Sequence, residues 1–171
     1  MVGRLTQEMV KVLQADVTSV RGKRNVIDGE AELLEGFEFN IGSKLGTTLF
    51  APLTSTIDRV AGTLTVDIPS FIPINMVAAP GGTTHFKIIS AGSVVDFENE
   101  TFEVDTQETA EIALDSVATA VISLVNSVTP NSVPPMFLAL GIIFYQEVNG
   151  VRYVLKNGSY NALSLVKVNG V

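Results

Sequence analysis

Between residues 136 and 168 the chain reads as strand-like runs broken by two Asn-Gly steps: MFLALGIIFYQEV, Asn149-Gly150, VRYVLK, Asn157-Gly158, then a run ending NALSLVKV. Asn-Gly between apolar runs marks a hairpin, because both central residues of a type I′ turn take positive φ. A three-stranded antiparallel meander is the expectation. A two-residue loop at Asn149-Gly150 sets Val148 opposite Val151, Glu147 opposite Arg152, Gln146 opposite Tyr153 and Tyr145 opposite Val154. Continued, it sets Phe144 opposite Leu155 and Ile143 opposite Lys156. Alternation then puts Leu140, Ile142, Phe144, Val148, Val151, Tyr153 and Leu155 on one face, the predicted core face. The other face is charged at Glu147 and Arg152 but turns apolar away from the turn, through Tyr145, Val154, Ile143, Ala139 and Phe137. A strand apolar on both sides needs cover on both sides. This chain or another copy of it has to supply that cover.

Upstream, Leu5, Met9, Val12 and Leu13 fall at helical spacing and predict a short N-terminal helix over residues 2–14. Phe37 and Phe39 flank Glu38 as in a half-buried strand, after a turn at Asp28-Gly29. Leu45, Leu49, Leu53, Ile57 and Val60 recur at nearly four-residue intervals, and Pro52 suits a first helical position, so a second short helix is expected over 52–61. From Gly62 the period changes to two: Leu64, Val66 and Ile68 alternate with Thr63, Thr65 and Asp67. Further strands are expected at 74–79, at 84–97 with Gly92 as a bend, at 109–115 and at 118–128. The predicted fold is mainly β, an antiparallel sandwich or barrel with one or two short helices in the N-terminal third. It reads as one domain over 1–171, a mixed segment to residue 62 followed by a β-rich core from 63 ending in the meander.

Composition sharpens this. Apolar residues make up 46% of the 171 and charged residues only 17%, against about 25% charged in an average soluble domain. With a mean hydropathy of +0.36, so little charge points to large buried contacts between subunits. A spanning helix is not expected, since the longest apolar run, 136–145, is well short of the roughly 18 residues required. No continuous apolar h-region follows the start of the chain, so synthesis in the cytoplasm without a cleaved signal is expected. Net charge is −7, with seven Lys/Arg and eight Asp/Glu in residues 1–60 and four against ten beyond. Such an acidic chain is not expected to take nucleic acid as a principal partner.

Candidate chemistry is thin. The absence of cysteine removes thiolate nucleophiles and Cys-ligated metals, and His85 is the only histidine. A triad would have to draw on Ser90 or Asp96 through the fold. Residues 96–111 carry Asp96, Glu98, Glu100, Glu103, Asp105, Glu108 and Glu111. Asp96, Glu98 and Glu100 are the nearest thing to a Ca²⁺ set, but the loop lacks the Asp-x-Asp-x-Asp-Gly pattern of an EF-hand. Pro80-Gly81-Gly82 reads as a turn, without the lysine of a phosphate-binding loop. Arg21, Lys23 and Arg24 form a basic cluster that suits a solvated hairpin tip or an acidic partner.

These observations lead to the expectation of a non-enzymatic, cofactor-free structural protein that assembles with copies of itself, as the subunit of a virion, tail-like tube, particle or filament. Its expected interaction surface comprises Phe137, Ala139, Ile143, Tyr145, Val154, Arg21, Lys23 and Arg24. The alternative is a binding module taking a carbohydrate or protein ligand on its loops, with Ca²⁺ as a candidate cofactor. Against it, the chain has no Trp and three Tyr, few of the stacking aromatics that sugar sites use.

Overall fold

A computed structural model describes residues 2–17, 19–20 and 30–170. The fold is mainly β and antiparallel throughout, with a helix at its N-terminus. Helix α1 (Val2–Ala15) matches its apolar spacing, with Val12 fully buried. Strands β1 (Thr54–Asp58) and β2 (Thr63–Ile68) pair with each other, and β2 pairs onward with β6 (Ile122–Ser127), giving a three-stranded sheet. A six-stranded sheet is built on β3 (His85–Asp96) and β7 (Met136–Val148), paired along ten residues from His85↔Tyr145 to Val94↔Met136. Beyond β3 lie β4 (Thr101–Glu108) and the two-residue β5 (Ile112–Ala113); beyond β7 lie β8 (Val151–Val154) and β9 (Ala162–Asn169). Among the described residues no helix is long and apolar enough to cross a membrane.

Period-two alternation is what makes β3 and β7 central. Phe86, Ile88 and Val94 on β3, with Met136, Leu138, Leu140, Ile142 and Phe144 on β7, turn one way and are buried against Leu64, Val66 and Ile68 of β2 and Leu124 of β6. Burying one such side chain is worth about 1.5–3 kcal/mol, so this inter-sheet layer is the main apolar core. The opposite side of β7 is covered over part of its length only. Phe137 packs with Val12 of α1, Ala31, Leu34, Phe37, Leu165 and Val168, with Ala139 and Phe39 at the margin. In β9 a bulge opposite Leu138 and Ala139 inserts Val166, which lets Val166 reach the inner core while Leu165 and Val168 reach the outer cluster.

Polar side chains close the edges between the two sheets. Asp105 of β4 accepts the Ser127 N–H at 2.8 Å, and Glu103 accepts the Thr129 N–H at 3.0 Å. Buried Asn126 donates to the Asp105 carbonyl at 2.9 Å and accepts the Ser90 hydroxyl at 2.7 Å. At the other side Ser55 donates to the Val166 carbonyl. Arg59, just after β1, gathers the loop before β7 and the end of β9: Nη1 donates to the carbonyls of Ser132 (2.5 Å), Val133 (2.9 Å) and Pro134 (2.9 Å). Its Nε and Nη2 donate to Asn169 Oδ1, and Nη2 also to the Gly170 carbonyl at 2.6 Å.

The Ser127 N–H, with the Gln107 amide second, holds the Asp105 carboxyl below its ordinary value. A carboxylate depressed in the folded state stabilises above its unfolded pKa, about 3.9, and loses that contribution as pH falls through the lower folded value. Asp105→Asn is therefore expected to melt below wild type at neutral pH, with the gap in midpoint shrinking between about pH 5 and about pH 3. Thermal melts across that range check it, and a constant gap would remove Asp105 from the acid response.

Several expectations are corrected. Residues 52–61 form no helix, because Thr54, Thr56 and Ile57 are β-branched and favour the strand β1. Residues 74–79 are not a strand: Pro73 starts a one-turn helix, α2 (Pro73–Met76), and Val77 alone bridges to Leu49. Residues 31–34 wind as a 3-10 turn, Gly36 turns the chain with a φ of 84°, and 37–39 then run beside β9, bridged at Glu38↔Ser164 without forming a longer strand. The predicted strand at 109–115 shrinks to β5, while the acidic run contains the longer β4. Residues 85–96 form one continuous strand, β3, and Gly92 lies within it where it meets Leu64 of β2 and Asn126 of β6.

The largest correction concerns the meander. Asn149 and Gly150 have φ of 52° and 77°, and the pairs from Val148↔Val151 to Tyr145↔Val154 form in the predicted register. Pairing stops there. Lys156, Asn157 and Gly158 all take positive φ in a 3-10 turn that offsets the chain without reversing it. Strand β9 therefore continues in the direction of β8 and pairs with β7 itself, below β8, with Ile142 opposite Ala162 instead of Phe144 opposite Leu155. Strands β8 and β9 share one edge of β7; they are not neighbours in a meander.

Candidate interaction surface

The outer face of the six-stranded sheet is where the predicted surface residues can be placed. Phe137 is not available on it, and Ala139 is half-buried. Phe137 is 8% exposed, under the α1 cluster, and Ala139 lies at that cluster's edge. Ile143 and Tyr145 lie further along β7, half-buried and past the reach of α1, and Val154 is 45% exposed. Arg21, Lys23 and Arg24 lie outside the described residues. The expected set thus divides within one strand: covered by the chain's own helix at one end, open at the other.

At the open end Ile89 and Ala91 of β3, Ile143 of β7 and Leu163 of β9 surround a groove of about 290 Å³, bordered by Thr106 and Glu108 of β4. Gly141 lies opposite Ile89; a side chain there would meet the Ala162 carbonyl at 2.9 Å and Ile89 Cγ1 at 3.2 Å. The missing Cβ keeps the groove open. Ile89, Ala91 and Leu163 escape the sequence reading. For two of them the signal was available: Ile89 and Ala91 are apolar residues on the side of β3 opposite Phe86 and Ile88.

Past the groove the β7–β8 hairpin runs beyond the last β3 pair, His85↔Tyr145. Both its faces therefore reach solvent. Val148, Val151 and Tyr153, expected in the core, are exposed, Tyr153 at 58%. On β4, Phe102 (76%) and Val104 (53%) are exposed as well, hidden in the sequence by the carboxylates that alternate with them.

A charged border links these parts. Arg152 donates through Nε to Glu147 at 2.9 Å and through Nη1 to Glu111 at 2.7 Å, tying the hairpin to the β4–β5 link. This bond depresses the Glu111 carboxyl and raises the Arg152 guanidinium. Lys87 donates to Glu108 at 3.0 Å, which raises its ammonium pKa. His85 Nδ1 is 3.0 Å from Thr84 Oγ1 and 3.9 Å from Glu147 Oε2.

The residues nominated for catalysis or metal binding are not brought together. Ser90 faces the buried inter-sheet layer and His85 the outer face, on opposite sides of β3. Asp96 accepts the backbone N–H groups of Glu98 and Asn99 at 3.0 Å and the Asn99 side-chain amide at 2.8 Å, so its carboxylate shapes the β3–β4 turn. Asn99 accordingly holds its pKa low. Glu98 and Glu100 are exposed in that turn, and among the described residues no three His, Asp or Glu side chains converge as a metal site. A separate groove of about 350 Å³ lies between α1 and residues 33–44, beside Arg4, Glu8 and Lys44. Arg4 is spent there on the Glu38 and Phe39 carbonyls, at 2.8 Å each. Compared with known proteins, the chain matches no protein-family model, no curated protein and no solved structure.

Proposed function

We propose that the protein is a non-enzymatic structural subunit that assembles with copies of itself into a particle, tube or filament, through the open end of its six-stranded sheet. One observation carries this reading. A single strand, β7, is apolar on both sides, the chain covers the second side at Phe137, and at Ile143 it leaves an open groove on that same side, with half-buried Tyr145 and exposed Val154 further along it. Uncovered apolar surface of this kind, rimmed by ion pairs, marks protein contact sites.

Ile143→Asp tests it. The side chain is half-buried on the outer face, so the variant is expected to fold, with a wild-type circular dichroism spectrum, and to run as smaller species than wild type in light scattering at micromolar concentration. A wild-type protein that is a clean monomer of 18.2 kDa would end the reading and leave the binding-module alternative in its place.

A further inference from the structure

We infer that copies join head to tail by strand pairing, the β4 edge of one molecule against the β8 edge of the next; the inference rests on the self-assembly reading above. Backbone geometry identifies the two edges. Thr109 N–H donates to the Ile88 carbonyl, and Val95 N–H donates to the Pro135 carbonyl on the other side of β3. Antiparallel bonding alternates, so Thr101, Glu103, Asp105 and Gln107 bond to β3. Phe102, Val104, Thr106 and Glu108 direct N–H and C=O away from it. At the opposite edge, closure of the hairpin at Val148↔Val151 leaves the N–H and C=O of Arg152 and Val154 pointing away from β7. The rest of that edge is taken: Gly36 and Phe39 N–H donate to Leu165 and Leu163, and Leu165 N–H donates to Phe37. Open edges template pairing with another chain.

Charge selects the partner. The β4 edge belongs to residues 96–111, with seven carboxylates and no cation, whereas residues 151–156 hold no carboxylate and two cations, Lys156 and an Arg152 already paired with Glu147 and Glu111 of its own molecule. Pairing β4 with β4 of a second copy, centred on Val104 or Asp105, would set Asp105 against Glu103 or against itself, and like charges directly opposite are disfavoured. The β8 edge of another copy is the complementary choice. A contact between two different edges is heterologous and propagates into a ring or an open filament, with the six-stranded sheet running on from copy to copy. Phe102 and Val104 then lie beside Val154 on a shared outer face.

Two kinds of variant test this. Val104→Pro removes one outward N–H without touching a bond to β3, a substitution that edge strands tolerate. It is expected to fold and to move the mass from assembled species to 18.2 kDa. Because the chain has no cysteine, Val104→Cys, Thr106→Cys and Val154→Cys can be mixed in pairs under mild oxidation. Strongest disulfide dimer is expected when a β4 cysteine meets Val154→Cys, and little from any variant alone. Assembly of wild type with Val104→Pro unchanged and no preferred cysteine pair would overturn the edge contact while leaving self-assembly standing. A monomeric wild type would overturn both. If Val104→Pro fails to fold, the cysteine pairs decide.

Discussion

Arg59→Ala is expected to destabilise the protein by about 3 kcal/mol, the worth of one or two hydrogen bonds to a charged group. Among the described residues the guanidinium pairs with no carboxylate. It donates instead to the carbonyls of Ser132, Val133, Pro134 and Gly170 and to the Asn169 side chain. Three consecutive carbonyls turned toward one point repel each other unless a cation sits between them. Their removal from Arg59 frees the loop that feeds β7 and the last residues of β9 together, although these are separated by more than thirty positions in the chain. Lysine should recover little, because a single ammonium lacks the planar fork that reaches both groups. Urea denaturation at fixed protein concentration checks the prediction, and an unchanged midpoint would mean that water serves these carbonyls equally well.

Gly92→Ala comes next, with an expected loss of about 2–3 kcal/mol, the upper range for overpacking a core. A Cβ at this position would lie 2.7 Å from Asn126 Cβ and 3.2 Å from Leu64 Cβ and Cδ1, where β3 crosses β2 and β6. Neither neighbour yields easily. Leu64 is fully buried, and Asn126 is held by Ser90 and by the Asp105 carbonyl. Displacing it would strand the Ser90 hydroxyl in an apolar layer, which adds to the cost. Gly92→Val should prevent folding. Denaturation midpoints and near-ultraviolet dichroism check both, and a Gly92→Ala protein as stable as wild type would show that the two sheets can separate by a few tenths of an ångström.

Strands bounded by strong alternation were legible without coordinates. Leu64, Val66 and Ile68 announce β2, and the Asn149-Gly150 register places four pairs correctly. Errors arose where local pattern was ambiguous. Leu45, Leu49, Leu53 and Ile57 keep a four-residue interval that fits a helix, but four is also a multiple of two, so Leu53 and Ile57 share a strand face equally well. Asn157-Gly158 has the composition of Asn149-Gly150, yet three successive positive φ values at 156–158 offset the chain instead of turning it back. Nothing in the dipeptide distinguishes the two outcomes; the length of β7, with room for two partners along one edge, decides. For the surface, the sequence separates the sides of β7 but cannot say where along it a helix 120 residues upstream comes to rest. Phe137 and Ile143 share a face and meet different fates for that reason alone.

The half-length cover of β7 by α1 also sets how each end responds to dilution. Helix and strand belong to one chain, so the contact of Val12 with the Phe137 cluster is unimolecular and holds at any protein concentration. Whatever another molecule lays over Ile143 is bimolecular, and mass action removes it as the solution thins. On the self-assembly reading proposed above, a single strand thus carries a permanent seal at Phe137 and a concentration-dependent one at Ile143.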